Sequence, residues 1–207
     1  MFRFDNACLV NMEASMAPVP LSIATVIGSA RYGRRCEPIA QWAASRINAR
    51  HDMTADMIDP SGLPLSFGEQ PLPLDIWCQL EARMEKADAF LVVTPEYHQG
   101  YPAVLKHLID IVPNVWQAKP VCFISYGTYS KGMQAVEQLR QVFSFLQAIP
   151  IDHALGLEGI ERYFDRNNVF KPDSDTTQHL STMLDRFHQA LQPMISVQPG
   201  RKRIHEQ

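Results

Sequence analysis

The sequence predicts one α/β domain built on a doubly wound, five-stranded parallel sheet with helices on both faces. Five short apolar runs alternate along the chain with segments of helical periodicity. Parallel strands require crossover connections, and a helix is the usual crossover. The chain has 207 residues, 46% hydrophobic and 20% charged, which is the composition of a single globular domain with ample core material.

The predicted strands are short runs of β-branched and aromatic residues, the type that is buried in a parallel sheet. LSIATVI is the first of them, and AFLVVT is the most apolar of the later ones. The strands are residues 21–27, 52–59, 89–94, 120–126 and 150–155.

The predicted helices have apolar residues three or four positions apart, which places those residues on one face. Ile39, Ala43 and Ile47 form such a face in the first helix, and Pro102 suits the first position of the short third helix. The helices are residues 36–50, 74–87, 102–112, 132–149 and 175–191.

No linker divides the chain, so the domain is expected to span residues 21–192. Residues 1–20 are predicted to be a flexible leader, because their apolar centre is too broken for a secretory signal. Residues 156–172 have no regular pattern and are predicted to be irregular. Residues 193–207 are predicted to be a solvated tail.

Charge and cysteine content exclude several classes of partner. The net charge of −3 argues against a general affinity for nucleic acid or an anionic membrane, and no apolar stretch reaches membrane-spanning length. Cys8, Cys36, Cys78 and Cys122 are scattered, without the spacing of a zinc site or the density of a disulfide scaffold. Free thiols and a cytoplasmic location are therefore expected.

Five strands without a sixth favour the flavodoxin-like strand order 2-1-3-4-5. In that order the winding reverses between the first and third strands, and ligands bind in the crevice at their carboxyl ends. The loops at this crevice are GSARYGRR, after the first strand, and PEYHQGY, after the third. The sequence thus places its two most unusual loops at the expected ligand site.

The loop GSARYGRR has the composition of a phosphate site. A helix N-terminus offers free backbone N–H groups and the positive end of the helix dipole. Gly28 and Gly33 allow a close turn, Ser29 adds a hydroxyl donor, and Arg31 and Arg34 can each add charge-assisted hydrogen bonds. The spacing matches neither GxGxxG nor GxxxxGK[ST], so a single phosphate is favoured. The alternative is a turn with surface arginines.

The loop PEYHQGY is bounded by prolines and carries Tyr97 and Tyr101, which together could form a rigid wall against a flat aromatic ring. The alternative is that these tyrosines pack at a subunit contact. His98 is expected to contact the ring as a hydrogen-bond donor or to point to solvent. No second ligand stands at metal-site spacing, so no metal is predicted.

Three segments in order, GSARYGRRCEPIAQW, VVTPEYHQGYPAVLKHLID and KPVCFISYGTYSKGMQAVEQLR, resemble the NADPH-dependent FMN reductase family of flavodoxin-like proteins. The resemblance covers about residues 21–155. The family motifs are similar to GSxRxxS or GSxRxxR, PEYN and SYGG; here His98 replaces the asparagine and Thr128 the last glycine. The implied cofactor-binding residues are Ser29, Arg31, Gly33 and Arg34 at the FMN phosphate, Pro95, Glu96, Tyr97 and His98 at the isoalloxazine, and Ser125, Tyr126 and Gly127 near the flavin.

The resemblance implies an NAD(P)H oxidoreductase that passes hydride from NADPH or NADH to FMN, and then electrons to a small molecule. That acceptor would be a quinone, an azo compound, a free flavin or a metal oxyanion, and the enzyme would be a homodimer or a dimer of dimers. No catalytic side chain is assigned, because the flavin carries the chemistry. The rival hypothesis is a flavodoxin-like module for electron transfer or protein interaction, without its own reductase turnover.

Overall fold

The computed structural model describes residues 19–65 and 71–196. Nearly all of the predicted leader and most of the predicted tail lie outside these residues. The strands are β1 (Leu21–Ile27), β2 (Met53–Ile58), β3 (Ala89–Pro95), β4 (Pro120–Gly127) and β5 (Ile149–Glu158). The helices are α1 (Cys36–Asn48), α2 (Leu74–Lys86), α3 (Ala103–Ile111), α4 (Met133–Phe145) and α5 (Ser174–Ser196).

All five strands form one parallel sheet in the order β2-β1-β3-β4-β5, which confirms the predicted fold class and strand order. The chain passes from β1 outward to β2 and then returns beyond β1 to β3. The winding therefore reverses between β1 and β3, which places the expected ligand crevice at their carboxyl ends.

The sheet separates two apolar layers, because successive side chains of each strand point to opposite faces. Leu91 of β3 points to the layer under α1 and α5. Phe90 points to the other layer, under α2, α3 and α4. In that second layer the buried Trp116 ring lies with its centroid 4.2 Å from that of Phe90 and 5.0 Å from that of Phe143. Both sides of the strands that carry the crevice loops are thus rigidly packed.

The end of the domain is more ordered than predicted. β5 continues past its predicted end at Leu155 to Glu158. A short 3-10 helix and a β-bridge between Phe164 and Phe170 follow, where residues 156–172 were predicted to be irregular. The prediction was wrong here because the end of β5 is specified by its pairing with β4, a long-range contact that has no local pattern.

Several helix boundaries also differ from the prediction. α4 ends at Phe145 rather than Ile149, because Gln147 adopts a φ of 59° and the chain then enters β5. Pro102 lies just before α3, with φ −64° and ψ 143°, instead of at its first position. The last helix, α5, extends to Ser196, past its predicted end at Leu191.

Within residues 19–65 and 71–196, no helix has both the length and the apolar character needed to span a bilayer.

Candidate functional site

Three loops meet at the carboxyl ends of β1, β3 and β4. Gly28 donates its N–H to a carbonyl of β3 at 2.7 Å, and Glu96 donates its N–H to Tyr126 O of β4 at 2.8 Å. Ser29 Oγ and Tyr97 Oη lie 3.2 Å apart, so the first two loops touch directly. The loops are the β1–α1 loop (residues 28–35), the β3–α3 loop (residues 96–102) and the β4–α4 loop (residues 128–132).

The β1–α1 loop presents backbone amides at the N-terminus of α1. Ser29 is buried, and its Oγ accepts the Arg31 N–H at 3.3 Å. Among the described residues, the N–H groups of Ala30, Tyr32 and Gly33 form no hydrogen bond. Gly33 has a φ of 67°, which turns the chain into the helix. Unpaired N–H groups at a helix N-terminus are a binding site for an anion.

Arg31 is the arginine of this loop whose charge is available to a ligand. Its side chain is exposed, and its Cζ lies 5.8 Å from the centroid of the Tyr97 ring. In the part of the chain that the structure describes, Arg31 forms no salt bridge with a carboxylate. Its guanidinium can therefore reach an anion in the crevice.

Arg34, also predicted at the phosphate, is engaged within the protein. Its guanidinium donates to Asp59 Oδ2 at 2.6 Å, to Glu37 Oε2 at 3.0 Å and to Ser29 O at 3.0 Å. Burial opposes both charges of the Arg34–Asp59 pair. Hydrogen bonds from the Ser61 amide and from Arg34 nevertheless lower the pKa of Asp59, and the two carboxylates raise the pKa of Arg34. Arg34 therefore stabilises the β1–α1 loop through contacts within the protein.

Sequence reasoning missed Asp59 and Glu37 as partners of the predicted site. Asp59 directly follows β2, and the strand order 2-1 places the end of β2 beside the β1–α1 loop. Glu37 lies three residues after Arg34, in the first turn of α1. The signal that could have identified Asp59 is its position, because it is a carboxylate directly after the strand that lies next to β1.

The β3–α3 loop forms a tight turn. Tyr97 and Gly100 exchange two backbone hydrogen bonds, at 2.8 and 2.9 Å, around His98 and Gln99. These central residues have φ values of 51° and 64°, the signs of a type I′ turn. Gln138 Nε2 of α4 donates to Gln99 O at 2.9 Å. His98 is exposed, and histidine, like the asparagine of the motif, is among the residues that tolerate positive φ.

The substitution Gln99→Gly is expected to stabilise the protein by roughly 0.5–1 kcal/mol, because glycine adopts positive φ without steric cost. Urea unfolding would measure this change. The control is Gln178→Gly in α5, which is expected to destabilise by about 1 kcal/mol as an exposed helical position. Equal losses of stability in both variants would contradict the turn.

Glu96 connects the β3–α3 loop to the start of α4. Its carboxylate accepts hydrogen bonds from Ser130 Oγ and, at 3.0 Å, from the backbone N–H of Gln134. A carboxylate at a helix N-terminus stabilises the helix through its free N–H groups and its dipole. The side chain of Glu96, predicted to border the ring, therefore holds the β4–α4 loop in place. Pro95, before it, ends β3 and is buried.

The residues of the third motif lie at the end of β4. Ser125 and Tyr126 are buried, Ser125 Oγ donates to Lys131 O at 2.9 Å, and burial raises the pKa of Tyr126. Gly127 is half-buried, and a Cβ there would lie 3.0 Å from Gly132 N. Ser125 and Tyr126 thus shape the β4–α4 loop, while Gly127 lies at its base.

Neither a reactive thiol nor a metal cluster is found in the described part of the crevice. Cys36 at the start of α1 donates to Val93 O at 2.7 Å, and burial raises its pKa to about 12, so the thiol stays neutral. Within residues 19–65 and 71–196, no three His, Cys, Asp or Glu side chains lie close enough to share a metal ion. The site therefore consists of hydrogen-bond donors for an anion in the β1–α1 loop and, beside them, the rigid turn of the β3–α3 loop that carries Tyr97.

A groove of about 420 Å³ lies between β5 and α5 and is also lined by Lys131 of the β4–α4 loop. None of the residues predicted for cofactor binding lines it. The crevice between β1 and β3 therefore remains the site that joins the predicted residues.

Residues 21–161 match the family model described as NADPH-dependent FMN reductase. An NAD(P)H-dependent FMN reductase of Schizosaccharomyces pombe is 31% identical over 204 residues, 93% of this chain and 100% of that protein. A 2-hydroxy-1,4-benzoquinone reductase of a Burkholderia species is 29% identical over 81% of this chain and 94% of its own. The match to the first protein spans its whole length.

Solved structures share the architecture. The flavoenzyme NAD(P)H:(acceptor) oxidoreductase of Paracoccus denitrificans superposes with a TM-score of 0.66 at 19% identity, over 84% of this chain and 98% of that one. A flavodoxin of Streptococcus pneumoniae gives a TM-score of 0.55 at 13% identity, over 83% and 99%. At such identities these likenesses establish the fold alone.

Proposed function

This chain belongs to the NADPH-dependent FMN reductase family, as its motifs predicted, and on that premise we propose that the crevice between β1 and β3 binds FMN. The membership confirms the predicted class of enzyme, an oxidoreductase dependent on NAD(P)H and FMN. When bound, FMN supplies the ring that takes hydride from reduced nicotinamide and releases electrons to an acceptor. The residues of the chain have to bind and orient it.

The main observation behind this proposal is the set of backbone N–H groups in the β1–α1 loop that form no hydrogen bond among the described residues. The N–H groups of Ala30, Tyr32 and Gly33 lie in the loop that leads into α1, next to the exposed Arg31. This donor set suits a phosphate dianion, because N–H groups and a guanidinium match its oxygens in charge and geometry. In this assignment Arg31 contacts the phosphate, and Arg34 holds the β1–α1 loop in its conformation.

The β3–α3 loop supports a ring-binding role next to the phosphate site. Its turn is rigid, since two backbone hydrogen bonds close it and Gln138 anchors it. The Tyr97 hydroxyl touches Ser29 Oγ, which sets the turn directly beside the β1–α1 loop. A ligand whose phosphate sits in one loop would extend its ring along the other. This arrangement supports the proposal that residues 95–98 would contact the isoalloxazine.

We assign a quinone as the electron acceptor. One relative is named a 2-hydroxy-1,4-benzoquinone reductase, and two proteins of Pseudomonas putida, 28% and 27% identical, are named quinone reductases. The exposed residues of the β1–α1 and β4–α4 loops suit access by a small, flat acceptor, to which bound FMN would pass its electrons. The rival flavodoxin-like module would carry electrons without oxidising NAD(P)H by itself.

Two measurements test this function. The absorbance spectrum of the purified protein should show bound oxidised flavin, and released flavin should be FMN. NADPH or NADH should then be oxidised steadily when a 1,4-benzoquinone is added. A flavin-loaded protein that does not turn over would support the electron-transfer module, and a protein that does not take up added FMN would overturn the cofactor assignment.

The working unit is predicted to be a homodimer or a dimer of dimers whose contact borders the crevice. Tyr32 and Tyr129 project from two of the crevice loops, and both are almost completely exposed, at 103% and 95%. Large exposed aromatic side chains are typical of protein interfaces. Light scattering should give at least twice the chain mass of 23.5 kDa. The variant Tyr129→Asp should dissociate, while Val169→Asp, at another exposed apolar side chain, should not; a monomeric native protein contradicts the prediction.

The cysteines support a cytoplasmic location. Cys36, Cys78 and Cys122 are free thiols in the structure, and Cys8 lies outside the described residues. Unpaired thiols persist in a reducing compartment.

A further inference from the structure

We propose that Asp59 is a positioning residue for the FMN phosphate, acting through Arg34 to aim the Ala30 N–H into the crevice. The proposal rests on the FMN site proposed above. It gives Arg34 a different task from the one that its place in the motif implies. Arg34 would not be a phosphate ligand but the link between β2 and the β1–α1 loop.

The first step is the direction of one peptide group. Arg34 Nη1 donates to Ser29 O at 3.0 Å, which fixes that carbonyl on the Arg34 side of the loop. The described residues contain no cis peptide bond, and the C=O and N–H of a trans peptide point in opposite directions. The Ala30 N–H therefore points away from Arg34. Ala30 is exposed and its N–H has no acceptor among the described residues, as an anion donor requires.

The second step is the way Arg34 itself is held. Asp59 Oδ2 accepts from Arg34 Nη2 at 2.6 Å, while Asp59 Oδ1 accepts the Ser61 N–H at 2.9 Å. Both carboxylate oxygens are thus engaged, and Asp59 also caps the 3-10 helix Pro60–Gly62. A continuous set of hydrogen bonds runs from this short helix through Asp59 and Arg34 to Ser29 O. Only 9% of the Arg34 side chain is exposed.

The third step is the local charge. Arg34 contacts two carboxylates, those of Asp59 and Glu37, so the three side chains together carry a net negative charge. Such a group gives a phosphate dianion little net attraction. The attraction has to come from Arg31 and from the amides, which makes the direction of each amide important. A guanidinium that binds two acids and a carbonyl is suited to fixing geometry.

The variant Asp59→Asn separates this role from direct binding. If Asp59 positions the loop, the dissociation constant for FMN should rise roughly tenfold, and that for riboflavin, which lacks the phosphate, should change less than about twofold. If Arg34 binds the phosphate directly, freeing it from Asp59 should leave FMN affinity equal or higher, which would overturn the proposal. Flavin fluorescence during titration of the full-length chain measures both constants.

The matched control is Asp56→Asn in β2, the strand that Asp59 directly follows. Asp56 also pairs with an arginine, Arg83, at 2.6 Å, but that pair is about half exposed and does not contact the β1–α1 loop. Its removal should change neither constant. Equal weakening of FMN and riboflavin in Asp59→Asn would indicate general loss of structure and would overturn the positioning role.

A second variant, Arg34→Lys, keeps the proposal testable if Asp59→Asn does not fold. Lysine retains the charge but lacks the planar fork that reaches Asp59 and Ser29 O together. The ratio of FMN to riboflavin affinity should fall by a similar factor of about ten. A ratio equal to that of the native protein would show that charge alone suffices and would overturn the proposal. If the native protein binds FMN and riboflavin with equal affinity, both the proposed phosphate site and the positioning role of Asp59 are wrong.

Discussion

Gly132→Ala is expected to destabilise the protein by more than about 3 kcal/mol and to lower its unfolding midpoint by roughly 6–12 °C. Gly132 has a φ of 82°, and a Cβ there would lie 2.5 Å from Tyr126 N and 2.7 Å from the Ser125 Cβ. Both neighbours are buried in β4, so neither can move aside without disturbing the sheet. Thermal unfolding followed by circular dichroism would measure the change.

Gly159→Ala is the matched control. Gly159 also has a positive φ, 58°, but nothing lies within 4 Å of the position of its Cβ. Its substitution should cost about 1 kcal/mol from backbone strain alone, or roughly 2–4 °C. Equal midpoints for the two variants would contradict the close packing of Gly132 against β4.

Arg31→Ala is expected to raise the dissociation constant for FMN roughly 10- to 100-fold, since one charge-assisted contact to phosphate is worth about 1.5–3 kcal/mol. The constant for riboflavin should rise less than about threefold, through loss of the Arg31 contact with the Tyr97 ring. The unfolding midpoint should not change, because the side chain is exposed. Fluorescence titration with each flavin measures the two constants.

Arg46→Ala is the control for this variant. Arg46 is an exposed arginine in the last turn of α1, at the end of the helix opposite the β1–α1 loop. Its removal changes the net charge of the chain by the same amount. An Arg31→Ala protein that melts early and still binds FMN with native affinity would support the alternative of a turn with surface arginines.

The order of elements was predictable because each leaves a local signal in the sequence. β1 coincides with its predicted run, and the buried Ile39, Ala43 and Ile47 face the core as predicted. The extension of β5 to Glu158 was not predictable, since its residues are ordered by pairing with β4 and not by their own apolar pattern. The end of α4 depended on the left-handed conformation of Gln147, which glutamine rarely adopts.

The location of the candidate site was predictable from the fold, and the tasks of its side chains were not. Strand order alone places the β1–α1 and β3–α3 loops together, and the contact between Ser29 and Tyr97 agrees with this. The motif could not distinguish Arg31 from Arg34, because one of the two acids that hold Arg34, Asp59, is 25 residues away in the sequence. The binding of FMN by any of these residues stays a prediction.

Because Glu96 anchors the β4–α4 loop, some residues of this loop are freer to vary during evolution than others. The Ser130 hydroxyl is hydrogen-bonded to Glu96, and Gly132 is packed closely against β4, so changes at these two positions would disturb folding. Thr128 and Tyr129 are exposed between these fixed points. Thr128 can therefore be exchanged during evolution without compensating changes elsewhere in the chain, whereas Tyr129 is constrained by the proposed dimer contact.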